Sequence, residues 1–309
     1  MTSIEYPIAR YQLNVTMLSP IKLPFFSGSM LRGALGHSLR KVSCITHKKS
    51  CLNCPVVTSC PYPEIYEPTA KPAEAVSGYT QLPALYVIEP PQCGEKTLHT
   101  GETFSFNMVL MGKALKQLPL IIFAWQKALQ KGLTPQQSKA QLTKVAHEND
   151  EGFKPVWSID QTQLEEHNQL ISLPTLNTEK ISLELHTPTR LQRRGKPVGP
   201  DKLNARDLLA PLLRRQQLFS QLTAGETAQT IRQQIDNTDI NLEHQLKWVD
   251  WTRYSNRQQQ KMALGGIMGK LTLQGDLAPY SQPLALGQWL HVGKNTTFGM
   301  GRYTVYPQA

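Results

Sequence analysis

Four cysteines lie close together in the first quarter of the chain. They follow the spacing C-x6-C-x2-C-x5-C from Cys44 to Cys60, and His47 lies between the first two. The central C-x2-C pair has the spacing with which one tight turn supplies two thiolates to a tetrahedral metal ion. The spacing predicts a metal site with zinc as the first choice and an iron–sulfur cluster as the alternative. The predicted ligands are Cys44, Cys51, Cys54 and Cys60, with His47 as a possible fifth.

The chemistry of such a site is structural rather than catalytic. Four protein ligands leave no coordination position for a substrate. A metal would instead clip an insertion, residues 44–66, that is too short to form a core of its own. The alternatives are four thiols without a metal and, for the whole chain, an iron–sulfur redox protein. Cys93 stands apart and is expected to be structural.

Positive charge is concentrated in three segments of this 309-residue chain, whose formal net charge is +10 at pH 7. Residues 1–60 carry seven Lys or Arg against one acidic residue, residues 190–215 eight against two, and residues 247–309 seven against two. The segments between them are net acidic. Segregated cations suit a phosphate backbone, so the charge pattern favours a nucleic-acid partner over a merely solvated basic surface.

Nothing in the sequence indicates export or membrane insertion. The opening residues "MTSIEYPIARYQL" lack a charged start followed by an apolar core. The longest apolar run, residues 118–125, is interrupted by Pro119 and is too short to span a bilayer. Five cysteines without a secretory signal favour reduced thiols. We therefore expect a cytoplasmic protein without a membrane partner.

The order of predicted elements occurs twice along the chain. Alternating and helical patterns of apolar residues predict strand, helix, two strands, helix and strand in each half. This repeat predicts an α+β fold of tandem ferredoxin-like domains, residues 1–170 and 171–309, with the cysteine insertion in the first. Pro211 is expected to kink the first helix of the second half or to mark its start. The predicted elements are strands 4–18, 84–90, 103–112, 153–160, 180–188, 244–255, 261–275 and 301–307, and helices 27–42, 118–132, 204–222 and 279–290.

A glycine-rich loop near the end of the chain, "GKNTTFGMGRY", does not have the features of a nucleotide-cofactor loop. It follows a predicted helix and precedes a strand, so no helix N-terminus faces an anion. The segment "GGIMGKL" at 265–271 lies in a predicted strand and lacks the P-loop spacing. Close backbone approach at glycine and the polar side chains nearby favour RNA contact, with a tight turn as the alternative. The residues concerned are Gly293, Lys294, Asn295, Thr296, Thr297, Gly299 and Gly301.

An arginine-rich loop, "TPTRLQRRGKP", occupies residues 187–197. Arginine guanidinium groups suit phosphates and guanine edges, so this loop is a second predicted RNA contact, with a solvated loop as the alternative. Trp and Tyr side chains in 248–254 lie beside two further arginines, where an exposed ring would stack on a base. The predicted RNA-binding cations here are Arg190, Arg193, Arg194, Lys196, Arg253 and Arg257.

Segments from both halves resemble the CRISPR-associated precursor-RNA-processing endoribonucleases of the repeat-associated mysterious protein (RAMP) superfamily. They are "LRGALGHSLRKVSCITHKKSCLNCPVVTSCPYPEIYEP", "HTPTRLQRRGKP" and the end of the chain from residue 248 with its glycine loop. The first looks like the cysteine-containing branch of that family. The resemblance implies an enzyme that binds one CRISPR repeat in precursor crRNA and cuts it once. A non-catalytic RNA-binding subunit of a CRISPR effector complex is the alternative that it leaves open.

The resemblance also implies a reaction without metal at the cleavage centre. The ribose 2′-OH attacks the neighbouring phosphodiester and leaves a 2′,3′-cyclic phosphate. Such a step needs a base, an acid and cations around the phosphorane. His37 lies on the first predicted helix, where many family members carry a catalytic histidine, and is the first candidate. Those members often pair this histidine with a tyrosine and a lysine. No tyrosine occurs here between Tyr11 and Tyr62, so the full triad does not carry over.

Further residues around this helix are candidates by charge and position. Lys41 is expected to stabilise negative charge in the reaction, and Arg32, Arg40 and Lys48 to bind RNA. His291, immediately before the glycine loop, is the second catalytic candidate; its alternative roles are to contact RNA or to hold the loop in place.

Overall fold

The computed structural model describes residues 5–68, 83–134, 136–224, 239–255 and 260–306, without the side chains of 221–224, 253–255 and 260–263. The fold is mixed α/β with antiparallel sheets. The chain divides into two compact units, one formed by Tyr6–Ile171 and the other by the chain from Ser172 on. None of the described helices is long and apolar enough to cross a membrane.

The first unit is built on an antiparallel sheet with the strand order β3-β5-β1-β6-β7. A short strand, β8, pairs with β1, and β2 pairs with β4. Helix α1 follows β1 and β2, and helix α3 follows β5. The elements are β1 (Glu5–Met17), β2 (Ile21–Leu23), α1 (Gly28–Ser43), α2 (Pro61–Ile65), β3 (Tyr86–Glu89), β4 (Lys96–Leu98), β5 (Thr103–Met111), α3 (Leu118–Lys131), β6 (Ala140–Asn149), β7 (Gly152–Ser158) and β8 (Leu170–Ser172).

The strand order of β3, β5, β1 and β6 is that of the predicted β-α-β-β-α-β unit. The sequence prediction of its closing strand was wrong, because it chose 153–160, which forms the additional strand β7. Strand β6 was not predicted, because its residues do not alternate regularly between buried and exposed. Val145, Ala146 and His147 are all buried in succession, next to β-bulges that shift the register with both neighbouring strands.

Helix α1 buries one narrow stripe. Leu31, Leu35 and Leu39 are spaced four residues apart and are fully buried. Helix α1 packs against α3, which ends at Gly132 with φ 107°. The backbone of Gln137 occupies the space that a Cβ at residue 132 would need, so the turn after α3 requires glycine.

The second unit repeats this connectivity. Its sheet has the order β12-β15-β9-β16, with helix α4 after β9 and helix α5 after β15. One hydrophobic core contains Leu183 from the sheet, Leu209 from α4 and Leu284 from α5. The elements are β9 (Lys180–Thr189), β10 (Gln192–Arg193), β11 (Lys196–Pro197), α4 (Ala205–Ala224), β12 (Asn241–Val249), β13 (Thr252–Ser255), β14 (Gln260–Ala263), β15 (Gly266–Gln274), α5 (Ser281–Leu290) and β16 (Tyr303–Tyr306).

Two details of the second unit differ from the sequence prediction. The predicted strands 244–255 and 261–275 are each divided, and the inner pieces β13 and β14 pair with each other as a separate two-stranded sheet. Helix α4 continues through Pro211 instead of starting there. A proline at this position removes only one helical hydrogen bond near the first turn, which the rest of a 20-residue helix tolerates.

Candidate active site

His37 projects from α1 away from its buried leucine stripe and is exposed. Its Nε2 lies 2.7 Å from Nζ of Lys131, the last residue of α3. A lysine ammonium has donors and no acceptor, so Lys131 donates and Nε2 of His37 accepts. The hydrogen bond therefore places the ring proton of the neutral imidazole on Nδ1.

The surroundings of His37 favour its neutral form. Partial burial lowers the pKa of His37, and the positive charges of Lys131 and Lys41 lower it further. A neutral imidazole accepts a proton at neutral pH, and ammonium groups stabilise negative charge that develops beside it. The arrangement combines a base with a source of positive charge.

Lys131 was not predicted as a site residue. Its only sequence signal is its place at the end of a helical run before glycine, and 94 positions separate it from His37. Packing of α1 against α3 brings the two side chains together. No local pattern in the sequence reports that contact.

Three tyrosines form a stack beside α1. The ring centroids of Tyr62 and Tyr66 are 5.4 Å apart, and those of Tyr66 and Tyr86 are 5.6 Å apart. The guanidinium carbon of Arg32 lies 4.5 Å from the centroid of Tyr66, and that of Arg40 lies 5.7 Å from the centroid of Tyr62. Both arginines are partly buried on these rings, where cation–π attraction holds them.

Arg40 also holds the cysteine segment. Its Nη2 donates hydrogen bonds to the carbonyl oxygens of Lys48 at 2.5 Å and Lys49 at 2.8 Å. Both Arg32 and Arg40 therefore have packing roles in the fold that the sequence did not indicate. Lys41 and Lys48 are exposed and remain the accessible cations of the predicted set around α1. RNA contact through any of the four stays a prediction.

The four clustered cysteines line a single pocket together with Thr46 and Tyr62. Thr46 Oγ1 lies 3.4 Å from Sγ of Cys54 and 3.9 Å from Sγ of Cys44. The Thr46 hydroxyl lowers the pKa of the Cys54 thiol. Among the described residues, however, no three Cys, His, Asp or Glu side chains are arranged to hold a metal ion. The donor atoms are those that zinc prefers and they share one pocket, but they are not at ligating distances from a common point.

The glycine-rich loop at 293–301 is a compact turn whose amides are used within the protein. Gly299 N donates to Thr296 O, and Gly301 N donates to Pro188 O. Gly301 has φ 75°, and a Cβ there would collide with the carbonyl of Val292. These hydrogen bonds form the tight turn that the sequence analysis gave as an alternative, and RNA contact by Gly299 and Gly301 stays a prediction.

The side chains of the same loop differ in accessibility. Thr296 is buried, Lys294 is exposed, and Asn295 and Thr297 are partly exposed. Gly293 lies against the carbonyl of Arg190 and is also part of the turn. RNA contact from this loop stays a prediction, and Lys294 is its most exposed cation.

His291 is fully buried at the C-terminus of α5. Its Nδ1 donates a hydrogen bond to Met300 O at 3.1 Å. Without an exposed atom it reaches no substrate, so the prediction of a catalytic role is corrected. His291 has the alternative role, which is to hold the glycine loop in place.

The arginine-rich segment forms the β10–β11 hairpin, turning at Arg194 and Gly195 with φ of 51° and 79°. The side chains of Arg194 and Lys196 are exposed at its tip. Arg193 is engaged by Asp207 on α4 and by Lys202 O at 2.8 Å.

Arg190 is partly buried, and its Nη1 donates to Gly265 O at 3.1 Å. Both arginines therefore have structural contacts, although the Arg193 side chain remains 47% exposed. RNA contact through either arginine stays a prediction. The side chain of Arg253 and the whole of Arg257 lie outside the described residues.

Two family models match consecutive parts of the chain. The model AF_1859_N, an N-terminal domain, matches residues 6–169, which is more than half of the chain. The model of the CRISPR-associated endoribonuclease Cas6 matches residues 183–303. No curated protein matches the chain at a significant level.

Solved structures with the same fold include three of Cas6 proteins, all at 15% sequence identity. A "Cas6 (TTHB231) product complex" has a TM-score of 0.58 over 97% of this chain and 99% of that chain. "Thermus thermophilus Cas6 (TTHB231)" has 0.52 over 98% and 100%. A "Partial Cas6-RT-Cas1--Cas2 complex" has 0.55 over 100% of this chain and 47% of that chain. At this identity the likeness concerns the fold.

The chain belongs to the AF_1859_N family, whose model matches more than half of it. Residues 183–303 match the Cas6 endoribonuclease model, and this match spans the arginine-rich loop and the glycine loop. The resemblance to the CRISPR RNA-processing endoribonucleases is confirmed for that part of the chain.

Proposed function

We propose that this protein is a metal-independent endoribonuclease that binds CRISPR repeat RNA and cleaves precursor crRNA once in each repeat. The observation that carries the proposal is His37, an exposed histidine whose pKa is lowered by burial and by two neighbouring ammonium groups. Transesterification of RNA requires a base and a positive charge, and a neutral histidine next to a lysine supplies both.

In the proposed reaction, His37 Nε2 takes the proton of the ribose 2′-OH. The 2′ oxygen forms a bond to phosphorus, and the bond from phosphorus to the 5′ oxygen breaks with its electron pair. The 5′ oxygen takes up one proton, and His37 later releases the proton that it holds, so the proton count is unchanged. Lys41 supplies positive charge for the phosphorane oxygens. The products are a 2′,3′-cyclic phosphate and a 5′-OH.

We further propose that the two units are tandem ferredoxin-like domains and that the cysteine segment is a metal-binding insertion. Cys44, Cys51, Cys54 and Cys60 would hold zinc, with an iron–sulfur cluster as the alternative, after rotation of their side chains toward the pocket they share. The metal would act only as a cross-link between the segment and the end of α1. Arg40, Tyr62 and Tyr66 already attach the segment to that helix.

Exposed cations from both units would bind the RNA backbone. They include Lys41 and Lys48 in the first unit and Arg194, Lys196 and Lys294 in the second. Structures with the same fold include a Cas6 product complex and a Cas6-RT-Cas1–Cas2 complex. We propose repeat RNA as the substrate here and other CRISPR proteins as partners.

A cleavage assay tests the proposal directly. End-labelled repeat RNA is incubated with the protein in excess EDTA, in parallel with the same RNA carrying one 2′-deoxynucleotide 5′ of the cleaved phosphate. Cleavage of the first RNA alone, with a cyclic phosphate on its 5′ product, supports the proposal. Binding of both RNAs without cleavage would instead assign a non-catalytic subunit of an effector complex.

A further inference from the structure

Lys131 is hydrogen-bonded to His37, and no sequence motif assigns a role to this position. We propose that Lys131 is a positioning residue for His37: it holds Nε2 as an unprotonated acceptor until the RNA phosphate arrives. This inference rests on the proposed endoribonuclease function. The contact that carries it is the 2.7 Å hydrogen bond between Nζ of Lys131 and Nε2 of His37.

The backbone around Lys131 is firmly placed although its side chain is exposed. Lys131 is the last residue of α3, where the helix dipole favours a cation. Gly132 follows with a positive φ that the backbone of Gln137 makes obligatory for glycine. Leu133 and Ser138 then exchange two backbone hydrogen bonds of 2.8 Å, which close the turn. A lysine fixed at its Cα needs only side-chain rotation to meet or leave His37.

A hydrogen bond from an ammonium group has two effects on the imidazole. It selects the tautomer with the proton on Nδ1, because Nε2 must accept. It also opposes protonation, because a second positive charge 2.7 Å away is unfavourable. The charged groups that act on His37 are both cations, Lys131 from α3 and Lys41 from its own helix, and burial acts in the same direction. Among the described residues, no carboxylate counteracts the effect of these two cations and of burial on the pKa of His37.

The same bond must open before His37 acts on a 2′-OH. An RNA phosphate is an anion that competes with the neutral imidazole for the ammonium group, and a charge-assisted contact is the stronger of the two. Binding of the scissile phosphate therefore draws Lys131 from Nε2 and leaves that nitrogen unprotonated beside the substrate. Binding of the RNA phosphate to Lys131 thus frees Nε2 of His37 to act as the base.

Lys127 provides a matched control on the same helix. It lies one turn before Lys131, and its Nζ is 5.2 Å from the ring centroid of the exposed Phe123 rather than near His37. K131M and K127M each remove one ammonium group and preserve side-chain length. K131R keeps the charge with altered geometry.

Three measurements separate positioning from a general effect of charge. Single-turnover cleavage of repeat RNA is followed from pH 4.5 to 8.5 for the wild type and the three variants. The titration of His37 is followed by NMR of the ring in the free protein, with H37A for assignment. Affinity is measured with the RNA that carries the 2′-deoxy substitution.

For K131M we expect the pKa of His37 to rise, so the acid limb of the rate profile moves by about 0.5 to 1 pH unit to higher pH. The plateau rate falls about tenfold because the tautomer is no longer selected. K131R keeps the position of the limb, and K127M matches the wild type. The affinity of K131M for the 2′-deoxy RNA falls, because one phosphate contact is lost. A K131M profile and His37 titration identical to those of K127M would overturn the proposal.

The NMR readout keeps this inference distinct from the proposed function. If the wild-type protein binds but never cleaves, the endoribonuclease assignment fails. A shifted His37 titration in K131M would still demonstrate the pairing in that case, without a reaction for it to serve.

Discussion

Arg193 and Asp207 form a bidentate ion pair that joins the β10–β11 hairpin to the first turn of α4. Arg193 Nε lies 2.9 Å from Asp207 Oδ1, and Arg193 Nη2 contacts Oδ2. Asp207 is buried and also accepts a hydrogen bond from Asn204 N at 3.1 Å. The pair therefore anchors the hairpin at Arg193, directly before its turn, and the neighbouring side chains of Arg194 and Lys196 are exposed.

This difference predicts opposite phenotypes for neighbouring arginines. The double variant R194A/K196A should bind repeat RNA more weakly, and its plot of log affinity against log salt should be shallower by about 0.7 for each lost phosphate contact. R193A should mainly lower the melting temperature, because it leaves Asp207 without its charge partner. Salt-dependent binding curves and thermal denaturation check both. Equal salt slopes for R194A/K196A and wild type would remove the hairpin from the RNA path.

Removal of the His37 imidazole should abolish most of the activity. We expect H37A to reduce the single-turnover cleavage rate by about 100-fold or more, since it removes the proposed proton acceptor. Affinity for repeat RNA should change little. H99A is the control, because His99 is an exposed histidine in a turn outside this site. Wild-type cleavage by H37A would exclude His37 as the base.

The proposed metal predicts a specific effect of losing one cysteine. C51S should lower both the zinc or iron content, measured by elemental analysis, and the yield of folded protein, because the insertion loses its cross-link. C93S should keep the metal, since Cys93 does not line the pocket. Wild-type protein that is purified without chelators and contains no metal, or C51S with full stability, would contradict the prediction.

The buried side chain of His147 predicts how the free energy of unfolding depends on pH. Burial and, to a smaller extent, the nearby His167 together lower the pKa of His147 to about 4. In the unfolded state a histidine has a pKa of about 6.5. Between that pH and the folded-state pKa, the unfolded chain therefore binds a proton that the folded chain does not bind. The free energy of unfolding should therefore be fully present above pH 6.5 and fall as the pH drops toward about 4. Urea denaturation at several pH values measures this.

H147F provides the comparison for that experiment, because phenylalanine fills the same space and does not titrate. Nε2 of His147 has no hydrogen-bond partner in the part of the chain that the structure describes, so the variant loses little there. Its stability should depend less on pH between 6.5 and 4 than that of the wild type. Parallel curves for the two proteins would assign the acid sensitivity to other groups.

Local pattern was sufficient for most of the architecture. The spacing of Leu31, Leu35 and Leu39 places helix α1 correctly, and a glycine after Lys131 marks the end of α3. The repeated order of elements predicts the strand order of the second sheet and, apart from its closing strand, of the first. Strand β6 was missed because bulges interrupt the alternation that identifies a strand, and periodicity carries no information across such a break.

The amino-acid sequence by itself determined the repeated connectivity, the segregation of charge, the cysteine spacing and the family, since each depends on residue types at short separations. Only the tertiary structure decided which candidates are accessible and which are paired. His291 is buried, Arg193 forms an ion pair with Asp207, and Lys131 forms a hydrogen bond with His37, which lies 94 positions earlier in the chain. The physical reason is that hydrogen bonds and ion pairs act over a few ångströms in space, and only packing of distant elements sets those distances.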